Sequence, residues 1–262
     1  PIFASVPPIM NEQGNKKLAK RDGAKDILAY RQEGYLPDAM LNFLASLGWN
    51  DGTEQEVFTR DELIEKFSPK RVQKSGARFD EKRLLWLNGA HIRNIPVDRL
   101  YEYVSPWDDN PQKNGGQTGF WPESAYAPDM TKEYRMKVLA LTQDRLKMFE
   151  DLRGFSYFFT EPEINLELID GNKQLKKLSE DERRKLLETA RHELAKLTDW
   201  TPESIQNCLN ELLETTGQKP GILFSLIRIA VTWAPFSPQL NDTLALIGKE
   251  KTLQRLDTYL NY

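Results

Sequence analysis

The segment ILFSLIRIAVTW, residues 222–233, is apolar on nearly every side when wound as a helix, and no other feature constrains the fold as much. A helix without a polar face must be surrounded by other elements, so it belongs in the middle of a bundle. Arg228 interrupts the run. An arginine there is costly unless its head is paired or reaches a surface. Either it meets an internal carboxylate, or it emerges where an anionic ligand sits.

Helix punctuation surrounds this segment. Thr59-Arg60-Asp61-Glu62 and Ser179-Glu180-Asp181-Glu182 both fit the capping-box pattern, the first with Phe58 and Leu63 spaced as a hydrophobic staple. The second opens a charged helix reaching about Leu197. Thr201-Pro202 gives an N-cap and a first-turn proline. Ile205, Cys208, Leu209, Leu212 and Leu213 then form one apolar stripe, and Gly217 stops the helix. Ser237-Pro238 caps a further helix that Gly248 ends, and KEKTLQRLDTYL supplies a last amphipathic one. LPDAMLNFLASLG and DEKRLLWLNG read as short helices ending in glycine. Residues 108–129, rich in Gly, Pro and Asn, read as a long loop between two parts of the molecule. The predicted fold class is mostly α, in several helical bundles, with strands only near the N-terminus.

Bulk properties exclude several classes. No run approaches the ~20 apolar residues that span a bilayer, so no membrane role is expected. PIFASVPPIM lacks the basic-then-apolar layout of a secretory signal, and the missing initiator methionine suggests a chain beginning inside something larger. The single cysteine, Cys208, rules out an intrachain disulfide and fits a reducing, cytoplasmic location; on its apolar stripe it reads as core, not nucleophile. Two histidines and one cysteine cannot make a typical zinc site, and no metal site is expected. The net charge of −3 argues against a uniformly basic nucleic-acid binder. The charge is patchy, however. Residues 66–83 hold seven basic side chains against Asp80 and Glu81, whereas residues 161–170 hold four acidic ones and no basic one. The first stretch could face a polyanion.

No nucleophilic triad, G-x-G-x-x-G or P-loop is visible, and NGGQTG at Asn114 has neither a preceding strand nor a closely following helix. What stands out is Lys16, Lys17, Lys20, Arg21 and Lys25 around the Asp22-Gly23 turn. Such a loop is either a solvated surface or a clamp whose mobile ammonium groups offset charge on phosphates.

KKLAKRDGA resembles the K-L-S-K-R-x-G-A signature of class I aminoacyl-tRNA synthetases of the glutamate type. YRQEGYLPDAMLNFLASLGW, FTRDELIEKF, RVQKSGARFDEKRLLWLNGAHIR and, near the end, KPGILFSLIRIAVTWAPFSPQLNDTLALIGKEKTLQRL continue the resemblance in order. The whole is similar to the C-terminal half of a bacterial-type glutamyl-tRNA synthetase. That resemblance implies a signature loop plus stem-contact α/β-type domain over 1–97, then helical anticodon-binding domains over 98–170 and 171–262.

By resemblance, Lys20 is the catalytic lysine on the ATP phosphates, with Lys17 and Arg21 flanking it. Ala19 replaces the usual serine and Asp22 stands where histidine is frequent. Lys74 and Arg78 are implied at the tRNA stem. Arg145, reached with one inserted residue, and Arg228, Ser237 and Leu240 are implied at the anticodon, and an arginine at 145 leans towards charging tRNA(Glu) alone. Trp233 takes the place of a usual glycine; it either stacks a base or fills core, core being favoured. The implied parent is a cytoplasmic monomeric ligase joining glutamate to tRNA(Glu) with ATP and Mg2+. The catalytic Rossmann domain is expected to precede Pro1, so this chain by itself is expected to be inactive, with no tightly bound cofactor. The competing reading is a helical protein-interaction scaffold derived from a synthetase, supported only by Ala19 and Asp22.

Overall fold

Three helix starts read from the sequence, at Thr59, Ser179 and Thr201, are made by side chains that return to the backbone. The computed structural model describes residues 5–19, 25–105 and 119–262. It divides into two compact units, Pro1–Trp121 with Gln143–Asp151, and Pro122–Thr142 with Leu152–Tyr262. Within the first unit run α1 (Ile27–Glu33), α2 (Pro37–Ser46), α3 (Arg60–Lys66), α4 (Glu81–Asn94) and α5 (Val97–Val104). Within the second run α6 (Lys132–Thr142), α7 (Glu167–Asp170), α8 (Glu180–Lys196), α9 (Pro202–Thr216), α10 (Pro220–Thr232), α11 (Leu240–Ile247) and α12 (Lys249–Leu260). The fold is mostly α, as expected. No strand forms among the described residues; the β component is two isolated bridges, Met10 to Lys17 and Met10 to Arg78. Of the long loop read at 108–129, residues 108–118 lie outside the described residues.

Both capping boxes form, at Thr59–Glu62 and at Ser179–Glu182. Phe58 and Leu63 are buried with Trp49 in one cluster, so the staple is present as well. In the first unit α2 lies along α4, burying Met40, Phe43 and Leu47 against Leu84, Leu87 and Tyr30. Asn42, fully buried, satisfies this junction: its Oδ1 accepts from the Phe58 N–H at 2.9 Å and faces His91 Nε2 at 3.0 Å, while its Nδ2 donates to the Glu56 carbonyl at 3.2 Å.

In the second unit α10 packs against α7, α8, α9 and α12, burying Leu223, Leu226, Ile227, Ile229, Ala230 and Val231. A helix apolar nearly all round is thus enclosed on its sides, as its sequence demands. It ends at Trp233 in the left-handed region (φ 46°), the only non-glycine residue with positive φ among those described. Trp233 is buried and stacks on Tyr259 with centroids 5.8 Å apart, so it fills core.

Two readings are corrected. Gly89 does not end a helix; α4 continues through it to Asn94. The chain approaches closely there, and a Cβ would lie 3.3 Å from the Leu146 carbonyl oxygen, a tight contact. Ser237 does not cap α11, whose N-cap is Gln239. Its hydroxyl is engaged by Arg228 instead.

Candidate nucleic-acid interface

A turn built by Asn11 leads into the lysine loop. Asn11 Oδ1 accepts from the backbone N–H groups of Asn15 (3.1 Å) and Lys16 (3.3 Å), its Nδ2 donates to Asn15 Oδ1 (2.9 Å), and Gly14 turns the chain at φ 73°. Beyond the turn Met10 bridges Lys17 on one side and Arg78 on the other. Both are exposed, and their backbones lie about 5 Å to either side of Met10. Two cations given different roles by resemblance therefore flank one residue, with their backbones about 10 Å apart. A Cβ on Gly14 would come within 2.4 Å of Arg78 Nε, so the guanidinium stem crosses this turn. Lys20 and Arg21 lie outside the described residues. Of the other basic residues here, Lys66 pairs with Asp51 (3.2 Å) and Arg83 with Glu56 (3.4 Å). The exposed Lys70, Arg71, Lys74 and Arg78 then carry much of the positive field of this stretch.

Arg145 is exposed at the end of a 3-10 turn, Gln143–Arg145, held tightly from beneath. Gln143 Nε2 donates to the carbonyls of Ile92 (2.8 Å) and Ile95 (2.7 Å), the free end of α4. Asn88, fully buried in α4, donates through Nδ2 to the Lys147 carbonyl (2.6 Å) and accepts at Oδ1 from the Leu36 N–H (2.8 Å). Phe149 N–H donates to the Gly34 carbonyl at 3.2 Å. Gly34, at φ 91°, has no room for a side chain: a Cβ would lie 2.5 Å from Phe149 Cβ and 2.6 Å from its nitrogen. Arg145 thus presents an exposed head on a backbone that buried hydrogen bonds hold in place.

In the second unit Arg228 is half-buried, and its Nε donates to Ser237 Oγ at 2.8 Å. Ser237 is buried and donates onward to the Pro238 carbonyl at 2.9 Å, so the hydroxyl fixes the guanidinium to the loop between α10 and α11. Leu240, also assigned to this surface by resemblance, is 4% exposed as the first residue of α11. The large apolar side chain that this loop turns outward is Phe236, 53% exposed.

A second arginine, Arg255, is buried and meets the half-exposed carboxylate of Glu161. It is 3% exposed, donates from Nε to Glu161 Oε2 (3.0 Å) and from Nη1 to the Val231 carbonyl (3.1 Å). Its Nη2 reaches the carbonyls of Tyr157 (2.9 Å) and Thr160 (3.1 Å). It thereby satisfies an irregular 3-10 segment and the end of α10 together. The sequence signal for it is an arginine on the buried stripe Thr252, Arg255, Leu256, Tyr259. Asn88 and Phe236 were missed too, and neither has a sequence signal, since nothing local marks what they touch. Burial pushes the Tyr157 phenol well up in pKa, opposed by Arg228 and Arg255. Cys208 is buried, as read, and burial pushes its thiol up to about 11, which leaves it unreactive.

A groove of about 660 Å³ lies in the first unit among Leu41, Leu44, Trp49, Ile64, Phe67 and Ile9. Its walls are mostly apolar, with Arg60, Gln73 and Ser75 among the lining residues. Among the described residues no group of three or more His, Cys, Asp or Glu side chains could hold a metal ion. Among those residues, too, no helix is long and apolar enough to cross a membrane.

Two family models match the chain: the anticodon binding domain over residues 99–260, and the class I tRNA synthetase (E and Q) catalytic domain over residues 2–86. A protein of Alkalilimnicola ehrlichii named glutamate–tRNA ligase 1 is 36% identical over 262 residues, covering 100% of this chain and 51% of its own length. The glutamate–tRNA ligase of Chloroflexus aurantiacus is 34% identical over 257 residues, covering 98% of this chain and 49% of its own. The chain thus spans about half the length of the curated relatives it matches. A crystal structure of a glutamate tRNA ligase from Elizabethkingia meningosepticum superposes over 100% of this chain and 51% of its own with a TM-score of 0.73 at 24% identity, which establishes likeness of fold. With its longest match running from residue 99 to residue 260, the chain belongs to the anticodon-binding-domain family.

Proposed function

We propose that this chain is the tRNA-recognising, C-terminal half of a glutamate–tRNA ligase. The observation that carries the reading is the collinear match of nearly the whole chain to half of relatives bearing that name. The longer enzyme, a cytoplasmic monomer, activates glutamate with ATP as glutamyl-adenylate and passes it to tRNA(Glu). In that reaction Lys20, flanked by Lys17 and Arg21, neutralises charge on the ATP phosphates, with Mg2+ supplying further charge when bound. Residues 1–97 carry this loop and the stem contact, and residues 98–170 and 171–262 read the anticodon.

Lys74 and Arg78 hold stem phosphates, a contact that positions RNA without reading it. Arg145 and Arg228 present planar, multi-donor heads to splayed bases, with Ser237 and Leu240 shaping the loop beside Arg228. In support, Arg145 is exposed on a braced turn, and Arg228 is oriented by Ser237. The apolar groove lies wholly in the stretch matched by the catalytic-domain model, and we assign it to packing against the remainder of that domain.

The test is binding of this chain to glutamate tRNA transcripts with native and altered anticodons across a salt series. The expected result is anticodon-dependent affinity that persists at moderate salt and is lost with Arg145→Ala. Affinity that ignores the anticodon and collapses with salt would confine the function to the basic stem face. No binding at all would leave the protein-interaction scaffold, which the exposed groove residues Leu44 and Ile64 would then serve.

A further inference from the structure

A single exposed phenylalanine is ordinary on a protein surface. Phe236 is set apart by what surrounds it. Along the loop between α10 and α11, Ala234, Ser237, Pro238 and Leu240 are buried, while Pro235, Phe236 and Gln239 face outward. The backbone is pinned at Ser237, the residue after the ring, because that hydroxyl accepts from Arg228 Nε at 2.8 Å and donates to the Pro238 carbonyl at 2.9 Å. The ring itself is held edge-to-face by Phe155, with centroids 5.9 Å apart and planes at 78°. Phe155 is 1% exposed and in turn packs edge-to-face on Tyr157 at 6.1 Å. Tyr157 is within electrostatic reach of Arg228, whose charge acts on its phenol. One side of the Phe236 ring is therefore clamped through a short aromatic chain, and more than half of its surface is open.

We infer that Phe236 is a stacking platform for one unpaired base of the RNA, an inference that rests on the anticodon-reading function proposed above. The physics divides labour within the loop. A base stacks on an aromatic face whatever its identity, because every base has a π-face, so Phe236 supplies affinity and little discrimination. Arg228 supplies discrimination, because its donors meet only the matching base edge. A pre-clamped ring loses little conformational freedom when the base arrives, which favours a ring held like this one over a free surface side chain. Leu240 has almost no surface left with which to touch a base; Phe236 has.

The experiment uses this chain and a short anticodon stem–loop RNA of glutamate tRNA carrying 2-aminopurine in turn at each anticodon-loop position. Wild type is expected to quench the fluorophore at one position. Phe236→Leu should abolish that quenching and weaken binding about 5- to 100-fold, by the same factor for native and altered anticodons. Phe236→Trp should retain both, and urea unfolding of Phe236→Leu serves to show that the fold is kept. Arg228→Gln should instead narrow the gap between native and altered anticodons. If wild type binds and Phe236→Leu binds and quenches like it, the platform is overturned while anticodon reading stands. If wild type binds no stem–loop, anticodon reading fails and the platform with it.

Discussion

The side-chain amide of Asn88 donates to the carbonyl of Lys147 at 2.6 Å across 59 residues of sequence, while its oxygen accepts from the Leu36 N–H at 2.8 Å. One fully buried amide thereby ties α4 to the start of α2 and to the segment that carries Arg145. Leaving buried backbone groups without partners costs about 1–3 kcal/mol each. Asn88→Ala is accordingly expected to destabilise the chain by about 2–4 kcal/mol, read as a shift in urea midpoint. A loss below about 0.5 kcal/mol, the range of ordinary surface substitutions, would show that this amide does not hold the segment.

Trp233 sets two effects of similar size against each other. Its left-handed backbone costs about 1–2 kcal/mol for a residue with a Cβ, which glycine would relieve. Its buried indole, stacked on Tyr259, is worth about 3–5 kcal/mol against truncation. Burial outweighs the strain, so Trp233→Gly should lower stability by about 1–4 kcal/mol in chemical denaturation. A gain in stability would mean that the backbone strain exceeds what the packing contributes.

Arg255 is worth more through its carbonyls than through its ion pair. Glu161 is half-exposed, so Glu161→Ala should cost less than about 1 kcal/mol. Arg255→Met strands the carbonyls of Tyr157, Thr160 and Val231 and should cost about 3–5 kcal/mol. Arg255→Lys should recover only a minor part, since an ammonium cannot reproduce the planar fork. Equal losses for Glu161→Ala and Arg255→Met, measured by urea unfolding, would assign the stability to the ion pair.

His91 makes stability depend on pH in a definite direction. Burial lowers its pKa below the usual histidine value, with Asp38 opposing. Asn42 Oδ1 is an acceptor, so His91 donates to it from Nε2. Because the folded pKa is depressed, the unfolded chain binds the proton more readily. The stability His91 confers is full above the unfolded pKa of about 6.5 and declines as pH falls through that value towards the lower folded pKa. His91→Gln should flatten the stability curve between about pH 5 and 7. An unchanged slope in that window would remove His91 as its source.

The candidate site was legible in unequal parts. Lys17, Arg78 and Arg145 are exposed, as chemistry on a polyanion requires, and the sequence marked them by charge and by resemblance. Arg228 was marked as an intruder in an apolar helix, with two explanations left open; its Nε meets Ser237, and a second arginine that the sequence did not single out, Arg255, meets Glu161. Phe236 went unnoticed because an aromatic residue in a loop looks the same in sequence whether its ring is buried or exposed.

What the sequence determined by itself is whatever rests on interactions a few residues long. The caps at Thr59 and Ser179, the glycine stop at Gly217 and the enclosure of α10 all follow from spacing, because a turn of helix joins residues three or four apart. Tertiary structure alone decided that Gly89 is a contact point and not a stop, that Asn88 ties three segments together, and that Ser237 orients Arg228 instead of capping α11. The Asn88 and Gly89 roles depend on atoms about 57–59 residues away, brought close by packing of apolar faces. A buried amide or an absent Cβ acquires its meaning from the group that packing sets against it, and that group is not written in the neighbouring sequence.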